Sequence, residues 1–460
     1  MTIESLELKN FKKFDSLELS LEAPITVILG ENSSGKSSIL KAMLGLKQTT
    51  SSSNEYECWA AQGEYTDLGT FQDYIHKRDI KKSFTISLKI SLKPRTFLWS
   101  ITNASLVKIC LTYDYESATS QARFLKIEAS FLSKEQETCS WTLTRQQTRQ
   151  NYKLKFSREL IETVEKTYKI NLVNDKIFKH LERFSFTNAS NKNSRDTNYQ
   201  NAILNQTLSL LTSYLEKNLF YLAPLRSSPS RSYFRSSHSL AVGVKGEYTP
   251  SVLATLENKN RKVTHGHSEH KRKYNSFQKW LSEIFPGHTA NTKTSEEIVK
   301  LKISNLSTQN YSSSEKSDTI TDVGFGFSQV FPIIVQSAVM PENSLLIIEQ
   351  PELHLHPLAQ TRLANVISDA AKQGKRFIIE THSEHFIRGL QLAISENRIN
   401  KNLGTSKENI NFYYIKSERD YIKKLETNEF GEFTTEWPSG FFDESYKTMQ
   451  KLIMNKLKSE

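Results

Sequence analysis

The sequence predicts an α/β fold: a mixed sheet carrying a phosphate-binding loop, an antiparallel β subdomain and a mainly helical insertion. Three observations point to it. Near the N-terminus the glycine-rich run Gly30-Glu31-Asn32-Ser33-Ser34-Gly35-Lys36-Ser37 stands between an apolar stretch and a helical one. Late in the chain two short apolar runs, Ser344–Ile348 and Arg376–Glu380, lead into Glu349-Gln350-Pro351-Glu352 and Thr381-His382-Ser383. Between these ends the hydrophobic period changes from two residues to three or four.

Taken in order, Met1 to Leu8 is acidic and alternates as a strand does, which argues against a secretory signal. Pro24 to Leu29 reads as a buried strand and Ser37 to Leu46 as a helix, so the glycine-rich run is a strand-to-helix loop. In such a loop backbone N–H groups converge on phosphate oxygens and the helix N-terminus adds its positive dipole end. The ATP-binding residues expected are Gly30, Glu31, Asn32, Ser33, Ser34, Gly35, Lys36, Ser37 and Ser38, with Lys36 on the outer phosphates and the Ser37 hydroxyl on Mg²⁺. A Gly/Ser turn without a ligand is the plainer alternative, and the strand-helix context weighs against it. Gln72 stands where a glutamine can meet the same Mg²⁺, although glutamines in such runs are more often merely solvated.

Phe84, Ile86, Leu88, Ile90 and Leu92 alternate with polar residues, and short β-rich runs continue to about Leu143, predicting an antiparallel sheet with one buried face. After about Asn151 the period turns helical, with Leu160, Ile161, Val164 and Tyr168 on one stripe and Leu208, Leu211, Leu215 and Leu219 on another. Polar tracts at Lys47–Glu55, Thr187–Asn201 and Thr308–Thr319 read as exposed loops. The run Asn258 to Lys273 is basic and holds His265, His267 and His270. It reads first as a solvated loop and second as a DNA or RNA contact; without cysteine or carboxylate neighbours a metal site is the least favoured. Arg226 and Arg231 flank a proline-rich turn, where sensing phosphate, packing on a partner and plain surface charge all remain open.

Asp322 to Gln329 places two glycines and Ser328 at the start of an apolar helix from Val330 to Val339, a second anion-binding terminus. One chain has no use for two such termini on one γ-phosphate. A dimer explains both, with Gly326 and Ser328 of one subunit capping the ATP held by Lys36 of the other; glycines that only permit close packing are the alternative. Glu349, at a strand tip, is the expected Mg²⁺ carboxylate, and His382, after the next strand, the expected γ-phosphate contact.

The formal charge of +11 and a pI near 9.2 suit nucleic acid without requiring it. Three cysteines, Cys58, Cys110 and Cys139, lack Cys-x-x-Cys spacing and fit a reducing, cytoplasmic setting with no disulfide or zinc framework. No apolar stretch nears the roughly 18 residues that span a bilayer.

Together these motifs resemble the ABC-type heads of SMC, RecF and OLD-like ATPases, over a piece ending near Asp79 and another starting near Asp322. Asn10-Phe11-Lys12-Lys13-Phe14 is similar to the basic-aromatic strand end of those heads, and Glu349 to Pro357 to their Walker B and D-loop run. The runs Tyr221 to Arg226 and Glu436 to Glu444 resemble stretches of bacterial ATPases encoded beside a nuclease, the Septu-type antiphage ATPases (PtuA-like) above all. The resemblance implies ATP and Mg²⁺ as cofactors, a homodimer or higher oligomer through the heads, and a nuclease partner. It also exposes a departure, since Gln350 stands where these heads carry a water-activating glutamate. An amide orients water but takes no proton, and a general base is worth about 10²–10⁴ in rate. Gln350, Glu352 and His382 are therefore the catalytic candidates, with Glu352 as substitute base. The domain organisation expected is 1–150 for the N-terminal half of the head with its β subdomain, 151–295 for the helical insertion and 296–460 for the C-terminal half. The function expected is an ATPase controlling a separate effector in antiphage defence, with a RecF-like DNA-repair ATPase as alternative.

Overall fold

The computed structural model describes residues 1–54, 57–146, 151–174, 177–178, 184, 195–235, 240–261, 269–305, 317–322, 324–401, 403–416, 422–435, 448 and 450–455. His265, His267 and the run 436–444 lie outside the described residues, as does most of the tract 187–201. The described ends of the basic run, Asn258–Arg261 and Glu269–Lys273, belong to helices. The chain divides into two compact α/β units.

The first unit consists chiefly of Met1–Glu22 and Ser37–Leu219. Its sheet has eight strands, in the order Phe14–Ser20, Ile3–Phe11, Phe84–Ser91, Leu106–Glu116, Gln121–Ser133, Gln136–Arg145, Tyr152–Phe156 and Ile177–Phe178. Every pairing is antiparallel. The alternation read from Phe84 to Leu92 buries Phe84, Ile86, Leu88 and Ile90. One strand was read as helix: Tyr152, Leu154 and Phe156 are buried alternately in a run too short for a helical stripe. The helices Arg158–Tyr168 and Arg195–Lys217 follow, with Leu160, Val164, Leu208, Leu211 and Leu215 buried, while Leu219 begins a strand. Phe11, Trp59, Phe84, Tyr113 and Phe124 interlock in the core; Phe84 and Tyr113 stack at 4.8 Å and Tyr113 and Phe124 at 4.7 Å.

Only the end of the tract from Lys47, with Ser53 and Asn54 exposed, is the loop expected. The helix that begins at Lys36 continues to Ser51, and Lys47, Gln48, Thr49 and Thr50 are buried. Their polar groups are satisfied from a distance: Lys47 Nζ donates to the Leu215 carbonyl at 2.8 Å, and Gln48 Nε2 to that of Ala60 at 2.8 Å. Burial pushes the Lys47 ammonium down to about 8. Likewise Ser317–Thr319, at the end of another tract read as loop, is a short strand.

The second unit holds Ala23–Lys36, Phe220–Ser417 and Ile422–Glu460. Its larger sheet runs Leu219–Leu222, Leu345–Glu349, Arg376–Glu380, Ile25–Gly30, Ile410–Ile415 and Ile422–Leu425. The four central strands are parallel and the last is antiparallel, so the sheet is mixed. Central parallel strands are covered on both faces, which is why these segments are almost wholly apolar. The helices Phe325–Val339, Pro357–Lys372 and Glu384–Ile399 contribute Ile334, Ile367 and Leu390 to one core with Val27, Ile348 and Ile379. A smaller antiparallel sheet, Tyr233–Phe234, Ile298–Asn305 and His288–Ser295, lies in the same unit with the helices Thr249–Arg261 and Glu269–Ile284. No helix among the described residues is long and apolar enough to cross a membrane.

Gly45 tests the first core. A Cβ there would fall 2.5 Å from Cη2 of the buried Trp59 ring. Alanine for glycine inside a helix ordinarily gains about 1 kcal/mol, whereas overpacking costs about 1–3 kcal/mol. Because the indole is wedged among Phe11, Phe84 and Tyr113, overpacking should win, and Gly45→Ala should lower the urea midpoint of the full chain.

Candidate nucleotide-binding site

The parallel register brings three strand ends to one edge. Glu349 pairs with Glu380, and Glu380 with Ile28, so the loops after the three strands leave side by side. Clefts outside the carboxyl ends of such strands are where α/β sheets bind ligands.

The glycine loop is shaped for close backbone approach. Gly30 has φ +146°, and a Cβ on it would lie 2.0 Å from the Ile415 carbonyl oxygen. Ser33 (φ 60°) and Gly35 (φ 97°) turn the chain, while Glu31, Asn32 and Ser33 form an exposed rim. Lys36 is buried and folds back, its Nζ donating to the carbonyls of Gly30 at 3.0 Å and Glu31 at 2.6 Å. Ser34 is buried with no hydrogen-bond partner for Oγ among the described residues. An orphaned hydroxyl inside a glycine cradle, beside a lysine held by its own loop, fits a polyanion whose phosphates would satisfy both. Ser37 and Ser38 follow directly in the helix Lys36–Ser51.

Glu349 is buried at its strand tip, and its Oε1 accepts a 2.7 Å hydrogen bond from the Tyr221 hydroxyl. Burial first, and the Glu349 carboxylate second, push the Tyr221 phenol far up, so it stays a donor. Arg226 Nη2 donates to the Glu349 carbonyl at 3.2 Å. Burial pulls this guanidinium down to about 10, against the opposing pull of Glu352. The turn after Glu349 is tight: Gln350 has φ 44°, its N–H donates to the Glu380 carbonyl at 2.8 Å, and its side chain is half-buried. Glu352 joins two strand tips, its Oε2 accepting from Thr381 Oγ1 and its Oε1 from the His382 N–H, both at 2.8 Å. Burial raises the Glu352 carboxyl, with those hydrogen bonds and Arg226 working against the rise. His382 is half-buried and shifted down by burial, then by the Lys36 charge, which keeps its imidazole neutral at pH 7.

The site thus gathers Lys36, Glu349, Gln350, Glu352 and His382 in one unit. The glycine helix begins at Phe325, earlier than the Val330 read from apolarity alone. Gly326 lies where a Cβ would meet the His354 carbonyl oxygen at 2.6 Å, which is the close-packing role; Ser328 is buried, and Gly324 at the helix start has open space around it. Gln72 is exposed on the short helix Phe71–Tyr74 of the first unit. Among the described residues no cluster of three or more His, Cys, Asp or Glu forms a metal cage. Mg²⁺ ordinarily needs none, since one or two carboxylates and the substrate phosphates suffice. Sequence reading missed Tyr221 as a site residue; the four-residue apolar run Leu219–Leu222 after a helix was the available signal.

A family model described as an AAA ATPase domain (AAA_15) matches residues 1–387. The chain belongs to that family. A second model, for a protein of unknown function (DUF3696), matches residues 406–452. The DNA replication and repair protein RecF of Bacillus thuringiensis (strain Al Hakam) is 33% identical over 97 residues, which is 20% of this chain and 24% of that protein. RecF of Bacillus cereus (strain B4264) matches to the same extent, so the similarity spans about a quarter of these relatives' length. Among solved structures, an SMC head bound to the C-winged helix domain of ScpA gives a TM-score of 0.46 at 12% identity, covering 92% of this chain and 98% of that one. The SMC head domain from Thermotoga maritima gives 0.38 at 10% identity, covering 93% and 100%. With both scores below 0.5, the fold rests on the sheets themselves.

In an AAA ATPase domain with this loop, Lys36→Ala removes the cation from the phosphate cradle. Calorimetry with Mg·ATP should show binding lost or severely weakened, while the nucleotide-free melt stays that of the wild type. Wild-type affinity in the variant would refute the site.

Proposed function

We propose that the chain is a Mg²⁺-dependent ATPase that works as a head-to-head dimer and controls a separate effector, a nuclease in antiphage defence. The observation that carries the ATPase part is the gathering of Lys36, Glu349 and His382 at the ends of adjacent parallel strands. In this reading the loop N–H groups and Lys36 would bind the phosphates, and Glu349 would hold the metal. The chemistry that Mg²⁺ would supply there is electrostatic, offsetting negative charge on the phosphates. Gln350 orients water through its amide, and the neutral His382 imidazole hydrogen-bonds the outermost phosphate. Glu352 takes the proton at a carboxylate oxygen, a role its upward shift suits, because a base works best when its pKa lies nearer the operating pH.

The dimer is supported by the exposed, unobstructed start of the glycine helix at Gly324. The effector is supported by the resemblance of the Tyr221–Arg226 run to ATPases encoded beside nucleases, Septu-type ones among them. A RecF-like role on DNA is the second reading, favoured by a cavity of about 1130 Å³ whose lining includes Lys271, Arg272, Lys279 and Lys375 beside Glu269 and Glu342. Burial, with Lys273 next, lowers the Lys375 ammonium to about 8, and a phosphate there would favour its charged form.

Steady-state phosphate release over a wide range of protein concentration tests the proposal. Turnover per chain should rise with concentration, as shared sites require. Glu352→Gln should lower turnover by about 10²–10⁴ and Gln350→Glu should raise it. A rate independent of concentration with a monomer's mass by light scattering in Mg·ATP contradicts the dimer, and an unaffected Glu352→Gln contradicts the base.

A further inference from the structure

We propose that Tyr221 and Arg226 are positioning residues for the metal-dependent step, Tyr221 by orienting the Glu349 carboxylate and Arg226 by holding the backbone of the same strand tip. The proposal rests on reading the site as that of an ATPase.

Both residues come from the edge strand Leu219–Leu222 and the turn after it, a neighbour in the sheet of Leu345–Glu349. A hydrogen bond of 2.7 Å to Oε1 fixes the plane of the Glu349 carboxylate, and with it the direction of the second oxygen. Groups that hold a metal ligand from behind in this way are typically worth about 10–100-fold in metal affinity or activity.

Arg226 is only 6% exposed, yet Nε and Nη1 have no hydrogen-bond partner among the described residues, and the Nη2 bond goes to the Glu349 backbone. A buried cation with donors to spare is a poor way merely to cover a strand end, where an apolar side chain would do. Its place is explained by the charge around it, since the Glu352 carboxylate pulls on the same guanidinium and Glu349 bears the other carboxylate at this tip. The turn that carries it is fixed on both sides: the Ala223 N–H donates to the Val244 carbonyl at 2.9 Å and the Ser227 N–H to that of Lys245 at 2.8 Å. Arg226 therefore reaches Glu349 from a backbone tied down independently of the nucleotide loop.

The test uses the full chain with Mn²⁺ as a spectroscopic stand-in for Mg²⁺. Tyr221→Phe removes one oxygen and should weaken Mn²⁺ affinity in the presence of ATP by about 10–100-fold, leaving metal-free ATP binding and the melting temperature unchanged. Arg226→Gln should lower kcat at saturating Mg·ATP with little change in KM, and Arg226→Lys should restore part of it. Wild-type Mn²⁺ affinity in Tyr221→Phe overturns the proposal. So does a parallel loss of metal-free ATP binding, which would make the role structural. Wild-type kcat in Arg226→Gln overturns the Arg226 half of the proposal, and should that variant fail to fold, wild-type kcat in Arg226→Lys, which cannot reproduce the guanidinium geometry, does so instead. A wild type that binds neither ATP nor Mn²⁺ overturns the ATPase reading itself, and is told apart because the variants then have nothing to lose.

Discussion

The parallel register of Leu345–Glu349, Arg376–Glu380 and Ile25–Gly30 is the constraint on which the site depends. Parallel strands send their carboxyl ends to one edge, so a carboxylate, a histidine and a glycine loop far apart in sequence become neighbours. A slip of one residue would move Glu349 by about 3.3 Å along its strand and take the three tips out of line. The almost unbroken apolar character of these strands, needed for burial on both faces, gives the sheet its stability, while the polar residues begin where each strand stops.

That edge is also a balance of charge. Lys36 and Arg226 are buried cations: Lys36 is held by the carbonyls of Gly30 and Glu31, and Arg226, drawn by the Glu352 carboxylate, by that of Glu349. Burial presses the Arg226 and Glu352 side chains toward their neutral forms, while their mutual attraction holds them charged. Buried charges of this kind respond strongly to an added polyanion and metal, because burial leaves them less screened than surface charges.

Much of this was legible in the sequence, for a physical reason. The glycine loop, Glu349 and His382 adjoin short apolar runs, and such runs between turn signals are what buried parallel strands leave in a sequence. Contacts made across more than a hundred residues left no local trace. Tyr221 and Arg226 reach Glu349 in that way, so although both lie in runs that the sequence makes visible, nothing local ties either to Glu349. Lys47, Gln48 and Thr49 look like loop residues because their partners, the carbonyls of Leu215, Ala60 and Gly45, lie elsewhere or in the backbone. The strand Tyr152–Phe156 was lost because five alternating residues are outweighed by the helix that follows. Gly326 shows the same limit, as only the structure sets it against the His354 carbonyl.

The central claim is that these strand tips form one site for ATP and a divalent metal. Pulsed electron paramagnetic resonance of Mn²⁺ bound with ATP, on the wild type and on Glu349→Gln, tests it most directly. The account predicts ³¹P hyperfine coupling from the phosphates in the wild type. In Glu349→Gln it predicts weakened Mn²⁺ affinity with metal-free ATP affinity retained. Mn²⁺ held as tightly by Glu349→Gln as by the wild type, with the same ³¹P coupling, would contradict it.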